Sequence, residues 1–263
     1  MNVLDKIILH KRQEVEERKG VVPINILEQS IYFKSSPKSL KKYLLSESTS
    51  GIIAEYKRKS PSKGIINKDA DVAIVASGYQ KAGAAALSIL TDSKFFGGVD
   101  GDIICVRKQI DLPVLRKEFM IDEYQIIEAK SIGADVILLL ANVLSKSQIK
   151  QLTDIAHSLG LEVLLEIREK DELDSIYMNV DCVGVNNRNL KDFRVNTDQS
   201  FELVESIPDS MIKISESGID SAQIIQELRR VGYKGFLIGE TFMKEENPGN
   251  ACARLINSIK MLK

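Results

Sequence analysis

Apolar residues fall in two rhythms along this chain. Short continuous runs, of strand length and too short for helices, occur at Gly51 to Tyr56, Ala85 to Leu90, Leu112 to Arg116, Asp135 to Leu140, Leu161 to Glu166, Cys182 to Asn186, Met211 to Ser215 and Phe236 to Gly239. Between them, segments such as DADVAIVASGYQKAG, DEYQIIEAKSIG, SKSQIKQLTDIAHSLG and SAQIIQELRRVG repeat apolar positions at helical spacing. Several end in Gly, which readily takes the left-handed conformation that closes a helix. Alternating strands and helices demand crossover connections and a parallel sheet. Eight such units in about 210 residues predict an α/β fold of the closed (β/α)8 class, a TIM barrel. A doubly wound open sheet has fewer strands and a Gly-rich nucleotide loop after its first, and neither GxGxxG nor a Walker loop occurs here.

Residues 1–45 precede the first strand. VLDKIILHKRQEVEERKG reads as an amphipathic helix, with Pro23 and Pro37 in the connection that follows. This stretch has too few apolar residues for a core of its own, so 1–263 reads as a single barrel domain with 1–45 as an N-terminal helical extension packed on it.

Composition narrows the function. With 36 Lys plus Arg against 37 Asp plus Glu, nothing favours nucleic acid or an anionic membrane surface, so any anionic ligand must be held locally. No apolar run approaches the ~20 residues of a membrane span, and the charged N-terminus lacks a signal-peptide core, which suggests a cytoplasmic protein. Cys105, Cys182 and Cys252 lack metal-type spacing and read as buried small hydrophobes in a reducing compartment. The two histidines, His10 and His157, sit in helical segments, His157 at the margin of the stripe Ile149, Leu152, Ala156, Leu159. They read as solvated helix residues, which removes His-based triads and histidine metal sites.

In a barrel of this class the C-terminal strand ends line the active site, so polar residues there carry the chemistry. Side chains two apart on a strand share a face. Glu55 and Lys57 therefore point one way, and Tyr56 and Arg58 the other. In LPVLRKEF, Leu115, Lys117 and Phe119 share a face, with Arg116 and Glu118 opposite. Glu166 ends the fifth strand, Asn186 aligns with Arg188 on the sixth, and Glu216 followed by Ser217 and Gly218 ends the seventh. The turns SESGIDS and LIGET, around Gly218 and Gly239, offer backbone N–H groups that can bind phosphate.

The segments IIAEYKRKSPS, LPVLRKEFMIDEYQIIEAKSIGAD, LLEI, GVNNRNLKDFRVN, ISESGI and FLIGETFM resemble the indole-glycerol-phosphate synthase family, over nearly the whole chain. That resemblance implies ring closure of a carboxyphenylamino-deoxyribulose phosphate with loss of carbon dioxide and water, and no metal or organic cofactor. It implies catalytic positions at Lys117, Glu166, Lys57, Glu55 and Asn186, and substrate contacts at Arg188, Glu216 and Ser217. It also implies an aryl pocket at Phe96 and Phe119, and phosphate contacts at Ser60, Gly218, Gly239 and the Glu240 N–H. Some relatives carry Ser at the last position, so a hydroxyl contact is missing here. Lys117, among apolar neighbours expected to lower its pKa, would act as general acid toward the ketone oxygen. Lys57 would bind the departing carboxylate, Glu55 and Glu166 would shuttle protons, and Asn186 would orient them. The loop KRKSPSKG would close over the substrate.

The expected partner is one small phosphorylated substrate, with no nucleic acid and no membrane, and the chain is expected as a monomer or weak homo-oligomer. Competing readings are a phosphosugar isomerase, a Schiff-base aldolase with a nucleophilic lysine, or a silent barrel that only binds a phosphorylated ligand.

Overall fold

The computed structural model describes residues 2–189 and 193–262; Leu190, Lys191 and Asp192, inside the GVNNRNLKDFRVN motif, lie outside the described residues. Eight parallel strands close into a barrel in chain order: β1 (Ile52–Tyr56), β2 (Ala86–Leu90), β3 (Val114–Lys117), β4 (Val136–Leu140), β5 (Glu162–Ile167), β6 (Cys182–Asn186), β7 (Ile212–Glu216) and β8 (Gly235–Ile238). The ring closes where β8 pairs with β1, Phe236 opposite Ile52. All eight expected strands are present, each end within two residues of the sequence reading.

Strand alternation divides the core into two layers. Ile53, Leu115, Leu138, Leu164, Ile214 and Leu237 form one cluster, inside the barrel. Their neighbours Ile52, Ala54, Val114, Ile137, Val163 and Phe236 belong to a second, between sheet and helices. The inward parity continues to the C-terminal ends, where it delivers Glu55, Lys117, Glu166, Asn186 and Glu216. Parallel register keeps these ends level, pairing Leu140 with Glu166 and Asn186 with Glu216.

The crossover helices obey their local signals. Asp71 accepts N–H bonds from Ala73 and Ile74 to start helix Val72–Ala82, and Gly83 at φ 91° ends it. Helices Glu123–Ile132, Lys146–Ser158 and Ala222–Arg230 follow β3, β4 and β7. After β5 the crossover holds only a 3-10 turn, Lys170–Ser175. The turn itself, KDELDS, contains a single apolar residue, Leu173, too little for an amphipathic helix.

The opposite end of the barrel is plugged. Helix Leu40–Leu45 inserts Leu40 and Leu44 into the inner cluster, and the Lys41 N–H donates to Glu162 Oε2 at the start of β5, 3.0 Å away. Before it, helix Val3–Val21 is started by an Asn2–Asp5 capping box and buries Ile7, Lys11 and Val15 along one stripe. A lysine therefore occupies a core position of the extension.

Two minor expectations are corrected. Cys182 and Cys252 are buried, but Cys105 is exposed, because Ile103 and Val106 take the inward positions of its helix. His157 is not simply solvated, since its Nε2 lies 2.8 Å from Asp181 Oδ2. Among the described residues no helix is long and apolar enough to cross a membrane.

Candidate active site

One cavity opens at the C-terminal ends of the strands, and every site residue singled out from the sequence lines it: Glu55, Lys57, Ser60, Phe96, Lys117, Phe119, Glu166, Asn186, Arg188, Glu216, Ser217, Gly218, Gly239 and Glu240. Leu90, Leu138, Leu140 and Leu237 supply its apolar floor.

Lys117 stands at the centre. Its Nζ is 2.8 Å from Glu166 Oε2 and 2.7 Å from Glu216 Oε2. Asn186 Nδ2 donates to the other Glu166 oxygen at 2.8 Å, and Asn186 Oδ1 accepts the Arg188 N–H at 2.9 Å. On the β1 side, Lys57 Nζ donates to Glu55 Oε1 at 2.7 Å. Tyr56 and Arg58 point outward as parity requires: Tyr56 joins the outer layer, and Arg58 Nη2 donates to Asp102 Oδ1 at 2.8 Å. The Phe96 and Phe119 rings lie 5.9 Å apart, tilted by 38°, and form an aromatic wall.

The electrostatics overturn one expectation. Burial pulls the Lys117 pKa down, but Glu166, Glu216 and Glu55 together outweigh it and hold the ammonium well above its ordinary range. The apolar neighbours do not decide its charge because three carboxylates face it. Burial raises Glu55 as well, yet Lys57 and Lys117 bring its pKa below the usual value. Glu216 goes the other way. Burial, reinforced by Glu166 and opposed by Lys117, pushes it up to about 7. Its Oε1 is buried and has no hydrogen-bond partner among the described residues, which leaves the charged form without one of the contacts that would favour it.

The far end of the cavity is built from main chain. Ser217 and Gly218 both adopt left-handed backbone, φ 68° and 74°. For a serine this is a strained state that the surroundings must impose. Asn187, fully buried, does so: its Nδ2 donates to the Ser217 carbonyl at 3.0 Å, and its Oδ1 accepts from Ser200 Oγ at 2.8 Å. Thr241 Oγ1 donates to the Ile219 carbonyl at 3.0 Å, which ties this turn to the one after β8. Among the described residues no main-chain carbonyl accepts from the N–H of Gly218, Gly239 or Glu240, which leaves these three donors available at one end of the cavity. The Glu240 carboxylate turns aside, as the phosphate reading needs, and accepts from Arg188 Nη2 at 2.8 Å, with Lys63 3.6 Å away. Ser60 Oγ sits 3.2 Å from Ser62 Oγ in the loop after β1.

Sequence reasoning missed several contributors. Gly184 has no β-carbon where Glu216 Oε1 lies, so it makes room for that carboxylate; a glycine inside a strand was the available signal. Asn187 stood beside Asn186 in the NNRN motif but on the other face. Phe193, at φ 61°, also lines the cavity, and nothing in its spacing marked it.

The chain matches the family model described as indole-3-glycerol phosphate synthase over residues 4–255. An indole-3-glycerol phosphate synthase of Bacteroides thetaiotaomicron is 45% identical over 259 residues, covering 98% of this chain and 99% of the relative. One of Campylobacter jejuni is 40% identical, covering 97% and 100%, and one of Prochlorococcus marinus is 40% identical, covering 98% and 90%. Among solved structures, tryptophan synthase subunit alpha from Legionella pneumophila superposes with TM-score 0.60 at 13% identity, over 84% of this chain and 97% of that one. The 3-hexulose-6-phosphate synthase of Salmonella typhimurium gives 0.59 at 13% identity, over 81% and 99%. At that identity the two structures speak for the barrel fold alone.

Proposed function

The chain belongs to the indole-3-glycerol phosphate synthase family, carboxy-lyases of tryptophan biosynthesis, and on that premise we propose how its residues convert 1-(2-carboxyphenylamino)-1-deoxyribulose 5-phosphate into indole-3-glycerol phosphate, carbon dioxide and water. The phosphoryl group sits against the N–H groups of Gly218, Gly239 and Glu240 with Ser60 nearby, where main-chain dipoles hold it without a lysine. Phe96 and Phe119 receive the aryl ring. Lys57 binds the aryl carboxylate. Binding energy from the phosphate and the ring then brings the ring carbon up to the ketone.

As that carbon attacks, the ketone oxygen gains negative charge, and the Lys117 ammonium donates to it. The raised pKa of Lys117 makes it first a fixed positive charge for the developing alkoxide. Transfer of its proton is then matched by the acidic partners that surround it. Glu216, whose pKa is raised by burial, is placed to return a proton to the lysine. Loss of carbon dioxide restores the aromatic ring. Departure of the new hydroxyl as water needs a proton on oxygen and removal of one from the neighbouring carbon, tasks for Lys57 with Glu55 and for Glu166, which Asn186 orients.

The observation that carries this reading is Lys117 bridging Glu166 and Glu216 inside the one cavity that also holds the main-chain donors and the aromatic wall. It also weighs against a Schiff-base aldolase, since an amine must be neutral to attack a carbonyl and this one is held charged. The protein contains no Trp, so newly formed indole fluoresces against a tyrosine background only. Mixing the enzyme with the carboxyphenylamino substrate should produce that emission. Binding of the substrate without it would leave a silent phosphate-binding barrel instead.

A further inference from the structure

Lys11 is 1% exposed on the N-terminal helix, does not line the cavity, and has no proton to move in the proposed reaction. Its ammonium contacts three carboxylates: Glu14 Oε2 at 2.8 Å, Asp92 Oδ2 at 3.0 Å and Glu118 Oε1 at 3.0 Å. These acids more than compensate for its burial and keep it charged. A buried ion cluster is weak evidence of stabilisation, because desolvation offsets much of the attraction. What its partners hold is more informative.

Asp92 follows β2, and its Oδ1 accepts the N–H groups of Phe95 at 2.7 Å and Phe96 at 3.3 Å, which fixes the turn that presents Phe96 to the cavity. Glu118 follows Lys117. Its Oε1 accepts the Phe119 N–H at 2.8 Å, and its Oε2 accepts from Thr91 Oγ1 at 2.7 Å. One cation from the extension thus joins the backbone segments beneath both rings of the aromatic wall, one of which also carries Lys117. A parallel cluster stands on the other side of that lysine, where Arg116 pairs with Asp100 and Glu128, and Arg18 of the same helix completes the set. Both sequence neighbours of Lys117 are therefore anchored outward to charges reaching the N-terminal helix.

We infer that Lys11 is a positioning residue: its ammonium holds Asp92 and Glu118 together and so sets the spacing of Phe96 and Phe119 and the approach of Lys117. Without it, two buried carboxylates face one another and the two segments part. This inference rests on the ring-closure reading of the cavity. The test is Lys11→Met in the full chain, assayed for kcat and KM with the carboxyphenylamino substrate and checked for folding by circular dichroism. KM should rise about tenfold with kcat reduced, inside the ~10²-fold that a misplacement of about 1 Å can cost. KM does not depend on the fraction of enzyme that is folded, so lowered kcat at unchanged KM would mark a merely structural lysine and overturn the inference. Asp92→Asn, which keeps an oxygen for the turn but removes the charge, should raise KM in the same direction by less. If Lys11→Met does not fold, unchanged KM in Asp92→Asn overturns the inference instead. A wild-type protein inactive on this substrate would sink the functional reading itself; active wild type with unaltered variants would sink only the role of Lys11.

Discussion

Gly184 on β6 and Glu216 on β7 share one space: a β-carbon on the glycine would overlap the Glu216 Oε1 oxygen, with Leu164 Cδ1 3.2 Å away on the other side. The strand can dispense with a side chain at this inward position only because a carboxylate fills it. Gly184→Ala should therefore push Glu216 away from Lys117. We expect kcat to fall by at least about tenfold, a part of the ~10² to 10⁴ that one positioned proton-transfer group supplies, while the barrel still folds. Steady-state kinetics beside a thermal melt would separate the two effects, and full activity in a folded variant would show that Glu216 has no need of its present place.

Lys117→Met removes the charge between Glu166 and Glu216. Turnover should drop by about 10² to 10⁴, the range of a single general acid or base. The two carboxylates would then face each other without a cation, so one must keep its proton or the site loses stability. The variant should consequently melt at a lower temperature at pH 8 than at pH 5, by a wider margin than wild type. A melting difference no larger than that of wild type would mean the two acids are not coupled through this lysine.

The raised pKa of Glu216 has a sign for stability. The unfolded carboxyl releases its proton near 4.5, whereas the folded one keeps it up to about 7. Between those values the folded state binds more protons, so this group's contribution to stability falls as pH rises through the window and is level outside it. Glu216→Gln carries no titrating proton in either state. Its stability relative to wild type should therefore increase from pH 4.5 to pH 7, measured as urea midpoints across that range. A constant difference would place the Glu216 pKa at its ordinary value.

The barrel and most of its cavity were legible because both rest on local periodicity. Runs such as IIAEY and VILLL fix strands, and parity then decides that Glu55, Lys57 and Lys117 face inward while Arg58 and Arg116 do not. The charge state of Lys117 was not legible in the same way, since it depends on which strands bring Glu166 and Glu216 alongside, a matter of barrel closure rather than of neighbours in sequence. Lys11 was hidden for a similar reason. In IILHKRQEV it looks like one more surface cation, and only the distant Asp92 and Glu118 make a buried place for it. Asn187 acts through Ser200 and Ser217, distant in sequence, so its spacing carried no signal, and Gly184 was marked only as a glycine inside a strand.

Asn187 offers a test of the phosphate end separate from the acids and lysines. Its side chain holds the Ser217 carbonyl and binds Ser200, the second through a buried hydrogen bond, and so maintains the left-handed pair Ser217–Gly218. Asn187→Leu would take that partner from the Ser217 carbonyl, at a cost of about 1–3 kcal/mol for a group left unsatisfied, while the Ser200 hydroxyl keeps Ser215 Oγ at 2.7 Å. The strained serine would relax, and the Gly218 N–H would turn from the phosphate. Substrate affinity should suffer more than the chemical step, with KM up by about tenfold and kcat changed less. Inorganic phosphate, tested as a competitive inhibitor, should weaken in parallel, because it needs the N–H donors and none of the acids. If phosphate inhibits the folded variant as well as it inhibits wild type, the turn after β7 does not hold the phosphoryl group, and the donors at Gly239 and Glu240 would have to do so alone.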